Sequence, residues 1–539
     1  MPDAVVVGAG HNGLVAACYL AKAGLSVTVL ERDTVIGGAV STVERFPGYL
    51  MDRGSSAHIM IRQTGIIEEL GLAEFGLRYD DLDPWGFAPF WNANGEQVAI
   101  TFWTDLDRTC ASIAAVCGER DATAYRNFVI DWGQRNERIF TAFNDKPTPG
   151  RLGRAIWGAG RGTGAGGMEL ARQFLGSADA LLDSLFHDER LKTALAWMGA
   201  QSGPPTHEPA TADLVGWLAM LHKRPPGHPR GGSGELTRAL AERLHAYGGT
   251  IRAGDPATTI ATRGGAVTGV HTESGEVIAA TIVVAGCHVE AALGLLGPAL
   301  PARLARRRGE IQLGNGIGMI VRLGTSALPH YPAGGPDTHR AMQLLAPSRQ
   351  LLRAAYGEFL AGRPPTRPAA LAMTFSAFDP TIAPPGHHNV SVWGQWHPYE
   401  LSTGEQWADI GKREADRLIG EVEAAAPGFA SSVEHVHVQH PVEIERELAL
   451  PRANVMHVNM DLASMFGMRP LPELAGYQVP GVAGLYLASA GMHPGGGVFG
   501  ASGRTAAGVA LADHSGRPAW AGRRRATRIT GLGRVPRRR

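Results

Sequence analysis

Eleven residues near the N-terminus, "VVVGAGHNGLV", limit the folds open to this chain more than anything else in it. Ala4 to Val7 is an apolar, mostly β-branched run, the composition of a strand buried on both faces, and it stops at Gly8. Leu14, Val15, Cys18, Tyr19 and Leu20 then recur at helical spacing, and Ser26 to Leu30 reads as a second strand. The unit is therefore βαβ. Gly8, Gly10 and Gly13 satisfy G-x-G-x-x-G directly after the first strand and at the opening of the helix. In that place the three glycines serve a tight turn, close approach of backbone to a pyrophosphate, and close packing of helix on sheet, with the phosphates over the helix N-terminus beside His11 and Asn12. Glu31 closes the second strand 18 residues after Gly13. There a carboxylate accepts hydrogen bonds from ribose hydroxyls and repels a 2′-phosphate. These signals together predict a dinucleotide site.

A glycine pair, Gly37 and Gly38 in "RDTVIGGAVST", follows the acid by six and seven residues and lets a second stretch of backbone approach a long, extended dinucleotide. Far downstream, "GLYLASAGMHPGGGVFGASGRTAAGVAL" (484–511) repeats the logic. Leu485 to Ala488 reads as a strand, glycines at 491, 495, 496, 497 and 500 form a loop, and Gly503 to Leu511 reads as a small-residue helix. Residues 227–254 read as a loop, a helix containing Leu236, Leu240 and Leu244, and a strand. Strands alternating around "RGG" and "ESGE" turns follow, ending in a buried strand at Thr281 to Ala285.

On "VVVGAGHNGLVAA", "VLERDTVIGGAVST" and the 484–511 segment, the sequence resembles the FAD-dependent phytoene desaturase-related oxidoreductases, within the wider amine oxidase-like flavoprotein superfamily. The resemblance implies an α/β fold with a discontinuous, Rossmann-like FAD-binding domain, 1–79 plus 227–300 plus 478–512. Two inserts, 80–226 and 301–477, would form an α+β substrate-binding domain. The implied cofactor is FAD. Its implied contacts are Gly8, Gly10, His11, Asn12, Gly13, Glu31, Arg32, Gly37, Gly38, Ala39, Arg53, Gly54 and Ser55, then the backbone at Ala257 for the adenine end, and Gly491, Met492, Gly500 and Ala501 along the pyrophosphate or ring edge. The chain departs from the family twice. Ala39 stands where many members carry arginine, so one phosphate contact must come from elsewhere, with Arg32 or backbone amides as the candidates. "AGCHVEAA" replaces an Asn-Ala-Asp-like turn, and His288 in it reads as a helix cap in preference to a catalyst.

The activity that the resemblance implies is removal of hydride from a C–H bond of a hydrophobic or polyene-like small molecule to flavin N5, by a desaturase or oxidase. Only one dinucleotide fingerprint is anchored to a strand; "GAGRGTGAGG" (158–167) lacks an acid-terminated second strand and reads as a loop. A diffusible acceptor, oxygen or a quinone, is therefore expected in place of NAD(P)H. An amine oxidase-like reaction is the alternative. Aromatic residues flanking the ring would favour it, and "GLYLASAGMHP" places none there. From another class, the alternative is a flavin-binding interaction protein without turnover. Pocket candidates are His58 in "DRGSSAHIM", Arg230 in "PRGGSGE", and His397 beside Trp396 in "WGQWHPY". A histidine near its ordinary pKa can act as a general base, and the competing reading is a ring satisfied by the backbone.

Other patterns narrow the chemistry. The four cysteines form no C-x-x-C, which leaves a disulfide redox pair unsupported, and the histidines match no metal-binding spacing, so no metal is expected. No apolar run approaches the length that spans a bilayer, and the N-terminus passes directly into the nucleotide-binding strand, the pattern of a cytoplasmic protein. A formal net charge of +1 hides an asymmetry, because residues 513–539 carry nine arginines and one acid. That basic tail reads as a disordered, solvated segment whose remaining option is peripheral membrane contact; no nucleic acid is expected.

Overall fold

β1 (Ala4–Val7) is buried along its whole length because it takes the centre of a nine-stranded sheet. In this computed structural model, which describes residues 1–148, 150 and 172–515, it pairs in parallel with β2 (Val27–Glu31) and with Ile282–Ala285. The order across the sheet is Ala257–Arg263, Ala266–Thr272, Val482–Leu487, Ile282–Ala285, β1, β2, Thr250–Ala253. Segments from the start, middle and end of the chain thus complete one sheet. α1 (His11–Lys22) packs between the helices Gly234–Ala246 and Ala501–His514. The last helix takes in Asp513 and His514, the first residues of the basic tail; the tail beyond Ser515, and the stretch 158–167, lie outside the described residues.

A second, seven-stranded sheet runs Val433–Gln439, Gly318–Thr325, His388–Gln395, Ala370–Met373, Met342–Leu345, Gly86–Trp91, Gln97–Phe102. Its pairs are antiparallel except Met342–Leu345 with Gly86–Trp91. Alternation along Gly318–Thr325 decides what each face does. Met319, Val321 and Leu323 join Trp407, Ile410, Leu418 and Val422 of the helix Trp407–Ala425 in one apolar layer. Arg322 is turned to the opposite face, toward the loops of the first sheet. The other half of the sheet gives Leu344 and Leu371 to a large apolar cluster with Trp85, Trp132, Trp197 and Trp217 of the helical insert. Burying each such side chain contributes roughly 2 kcal/mol.

Two ribbons link the sheets: β3 (Thr42–Phe46) with β4 (Tyr49–Asp52), and Tyr79–Asp81 with Gly227–Pro229. Residues 227–229, expected as loop, are therefore paired strand. The helix Trp407–Ala425 begins at Gln406 without a side-chain cap. Thr403 is spent in a local turn instead, its hydroxyl accepting from the Glu405 amide at 3.4 Å. Among the described residues no helix is long and apolar enough to cross a membrane.

Candidate functional site

The three glycines of the first turn divide the expected tasks. Gly8 has φ +100°, and its amide donates to the Leu30 carbonyl at 2.7 Å, closing β1 onto β2. A Cβ at Gly13 would collide with the Gly8 carbonyl and lie 3.5 Å from Gly286 Cα, so this glycine lets α1 seat against the sheet. Gly10 differs, because a Cβ there would meet nothing within 4 Å. The glycine pair lies over this open space: the Gly37 amide donates to the Ala9 carbonyl at 3.0 Å, and a Cβ at Gly38 would meet only Gly10 Cα, at 3.8 Å. Residues 53–55 continue the same wall, the Ser55 amide donating to the Ala39 carbonyl at 2.8 Å, with Gly54 pressed on Ala39 too closely for a side chain.

Two helix N-termini converge on this hollow. α1 begins at Gly10 and the C-terminal helix at Gly500 (φ +70°); neither has a side-chain cap or an acidic residue in its first turn. Gly503 of the second helix packs on the Asn12 carbonyl of the first, where no side chain would fit. Gly491 and Met492 lie in the loop that leads to the second helix, the Gly491 amide donating to Ser489 Oγ at 3.2 Å, and Ala501 is the first residue of that helix. His11 Nε2 and Asn12 Oδ1 are buried without a hydrogen-bond partner. Burial pushes the His11 imidazole down to about 4, so at neutral pH it is an uncharged donor or acceptor. Open space at Gly10 and Gly38, uncapped helix starts and unpartnered polar atoms are what a bound pyrophosphate requires, and the donor set fits FAD. Glu31 is partly engaged: one carboxylate oxygen accepts from the Ala9 amide at 2.7 Å and the other from the Asp33 amide at 3.0 Å. Each oxygen retains a second lone pair, which is the capacity left for ribose. Ala257 opens the strand Ala257–Arg263, close behind Asp255, whose amide donates to the Glu31 carbonyl at 3.1 Å.

Several expected contacts lie elsewhere. Arg32 is exposed, and its guanidinium donates to the Glu447 carbonyl at 3.2 Å. Arg53 is buried and paired with Asp33 and Glu447, each at 2.8 Å, leaving only Nη1 without a partner. Arg230 is exposed and paired with Asp80 at 2.8 Å, at the end of the short ribbon. His58 is fully buried, with Nδ1 2.7 Å from the Tyr79 hydroxyl and Nε2 2.9 Å from Ser233 Oγ, and burial pushes it down to about 3. A ring so engaged positions a chain segment and has no free nitrogen for a substrate proton. His397 Nδ1 donates to the Gly394 carbonyl at 3.2 Å, Nε2 has no partner, and burial lowers it to about 4. Trp396 beside it is anchored to the Gly203 carbonyl at 2.7 Å. His288 caps a helix, its Nδ1 accepting from the Glu290 amide at 3.1 Å.

Residues absent from the sequence-based set complete the site. Arg322 donates to the Gly54 carbonyl and to Ser56 Oγ, each at 2.9 Å. Gln439 donates to the Arg53 carbonyl at 2.9 Å, and His228, 3.0 Å from Asp379, lies under the Ser56 carbonyl. Arg469 donates to the carbonyls of Met456, Val458, Asn459, Ser464, Ala490 and Met492, tying the loop 456–464 to the loop after the strand Val482–Leu487. The available signal was a charged residue inside an otherwise apolar run, "GMIVRLGT" for Arg322.

A family model described as flavin containing amine oxidoreductase matches residues 13–511. The chain is 31% identical over 551 residues to pyridine nucleotide-disulfide oxidoreductase domain-containing protein 2 of Mus musculus, covering 95% of this chain and 93% of that protein. It is 28% identical over 448 residues to phytoene dehydrogenase of Streptomyces griseus, covering 81% of this chain and 82% of that one. Among solved structures, wild-type putrescine oxidase bound to putrescine superposes with a TM-score of 0.61 at 15% identity, over 96% of this chain and 99% of that one, a likeness of fold.

Proposed function

Because the chain belongs to the flavin containing amine oxidoreductase family and is an FAD-dependent oxidoreductase, we propose that it takes hydride from a C–H bond of a hydrophobic, polyene-like small molecule. FAD, when bound, accepts that hydride at N5, and oxygen or a quinone afterwards takes the electron pair. In a desaturation the neighbouring carbon releases a proton as the C=C bond forms, so one hydride and one proton leave together. On this reading the segments 1–79, 227–300 and 478–512 hold the cofactor, with Gly8, Gly10, Gly13, Gly37, Gly38, Gly500 and Ala501 nearest its phosphates. The segments 80–226 and 301–477 enclose the substrate. The reading places the protein in the cytoplasm, with any membrane contact peripheral.

The observation that carries the substrate class is the wall around the C-terminal glycine loop. Phe499 and Ala501, with Met460 and Met465, belong to the same buried apolar cluster as Trp217, Phe375 and Trp396, and Ile59, Met60 and Met456 border it. A Cβ at Gly495 would lie 2.7 Å from Met460 Sδ, and one at Gly497 would lie 3.6 Å from Met60 Cγ. Methionines adapt their shape to an apolar ligand, and such a lining excludes water from the reacting bond. Amine oxidation is the second reading, and one feature favours it: Asp461, next to Met460, keeps a buried carboxylate oxygen without a hydrogen-bond partner that could face an ammonium group. The discriminating experiment mixes the FAD-loaded protein under argon with a carotenoid-type polyene or with a primary amine and follows flavin bleaching, then admits air or a quinone. Bleaching by the polyene and recovery with an acceptor is the expected result; bleaching by amines alone overturns it.

A further inference from the structure

Arg322 occupies the middle of a strand whose eight residues are all buried, and the residue is 1% exposed. No carboxylate lies within ion-pair distance among the described residues. Its partners are all neutral: Ser391 Oγ at 2.6 Å, Ser56 Oγ and the Gly54 carbonyl at 2.9 Å, and Gln439 Oε1 at 3.4 Å. The charged groups that face it are committed elsewhere. Asp52 accepts from Thr42 and from the Ser233 amide, and Glu447 pairs with Arg45 and Arg53. Burial pulls the guanidinium down to about 10, which leaves it charged at neutral pH. A buried cation without a carboxylate costs stability, and an apolar side chain of similar volume would relieve that cost.

What the cation does follows from what it holds. With Gln439 on the Arg53 carbonyl and Arg322 on the Gly54 carbonyl and the Ser56 hydroxyl, the second sheet grips the back of the segment 53–56. The front of that segment rests on Ala39, in the wall of the cofactor hollow. A hydride brings two electrons and one proton, so the flavin ring gains one negative charge when it arrives. If the ring lies along the segment 54–56, as the resemblance implies, a fixed positive charge behind that segment would lower the energy of that state, and a preoriented charge in a water-excluded site does so effectively. We propose that Arg322 is a positioning residue that fixes the Gly54–Ser56 backbone against the flavin and, through its charge, shifts the bound cofactor toward its reduced form. The proposal rests on the reading that FAD lies along Gly54–Ser56.

The test compares wild type with Arg322→Gln, Arg322→Lys and Ser56→Ala, each loaded with FAD and equilibrated under argon with redox dyes of known potential. Arg322→Gln is expected to lose at least tenfold in preference for the reduced cofactor, about 30 mV for a two-electron couple. Arg322→Lys and Ser56→Ala, which keep the charge, stay within threefold of wild type. An unchanged potential in Arg322→Gln, or an equal fall in the glutamine and lysine variants, overturns the proposal. If the glutamine variant fails to retain FAD, the lysine variant decides: a potential within threefold of wild type sustains the proposal, and a larger fall, or loss of FAD from the lysine variant as well, overturns the effect proposed for the charge. Failure of the wild type to bind FAD would instead overturn the reading of the site itself.

Discussion

Gly10 and Gly13 are three residues apart in one motif, yet the structure assigns them opposite responses to the same added methyl group. At Gly13 the new Cβ strikes the Gly8 carbonyl and crowds Gly286, both backbone, so neither can swing aside. Overpacking costs about 1–3 kcal/mol, and a collision with rigid backbone belongs at about 2–3 of it, against a gain of about 1 kcal/mol from replacing a helical glycine by alanine. Gly13→Ala should therefore lose about 1–2 kcal/mol of apoprotein stability and tilt α1 off the sheet. At Gly10 the backbone is already extended (φ −65°, ψ 163°), a conformation alanine adopts freely, and no atom lies within 4 Å of the new Cβ. A weaker helix cap and a stiffer unfolded chain nearly cancel, so Gly10→Ala should leave apoprotein stability within about 1 kcal/mol of wild type. Its methyl group fills the space assigned to the pyrophosphate, and affinity for FAD should fall at least thirtyfold, about 2 kcal/mol. Urea unfolding of the apoproteins and titration of FAD fluorescence separate the two effects. Wild-type FAD affinity in Gly10→Ala would refute the assignment of that open space to the cofactor, and an undiminished stability in Gly13→Ala would refute the packing argument.

Two further outcomes follow from buried polar groups. Arg469→Lys replaces five N–H donors with three on a side chain that now serves six carbonyl oxygens. Leaving about three of them unpaired should cost roughly 3 kcal/mol in urea unfolding and weaken FAD retention, and a loss under 1 kcal/mol would contradict it. Burial would push the Asp379 carboxyl up, but hydrogen bonds from His228, Thr381 and the Gly231 amide outweigh it and hold the group down at about 2. Its folded pKa lies below the unfolded value of 3.8, so its contribution is complete above pH 4 and is lost as the pH falls toward 2. Asp379→Asn should flatten the stability profile over that window by roughly 2 kcal/mol, and identical acid profiles for the two proteins would contradict the pairing.

What could be read in the sequence was whatever local spacing dictates. β1, α1, β2, the glycine pair and the strand-loop-helix near the C-terminus carry their own periodicity and turn chemistry, so their ends differ from expectation by at most three residues: the last strand is Val482–Leu487 and the last helix Ala501–His514. Side-chain partners were not legible, because they join distant segments. Arg53 reads as a cofactor contact in the sequence, and nothing there shows that Glu447, on a helix almost 400 residues later, pairs with it. Arg230 sits in a glycine-rich turn like those that bind phosphate, but the ribbon of Tyr79–Asp81 with Gly227–Pro229 sets it beside Asp80. Neither pairing leaves a trace in composition or spacing. Arg322 was overlooked for the same reason, since its acceptors come from residues 54, 56, 391 and 439.

The central place of β1 governs the order in which this molecule can be made. Its neighbour Ile282–Ala285 lies against the strand Val482–Leu487, and α1 packs on the helix Ala501–His514. At about 5–20 residues per second, the ribosome holds the first strand for roughly half a minute or more before those partners emerge. During that wait a strand that is wholly buried in the finished molecule is without a roof. Capture of the coenzyme is thus tied to synthesis of the strand Val482–Leu487 and the helix Ala501–His514, and a chain arrested before residue 500 would become a client for chaperones and proteases, with one wall of its nucleotide cradle missing.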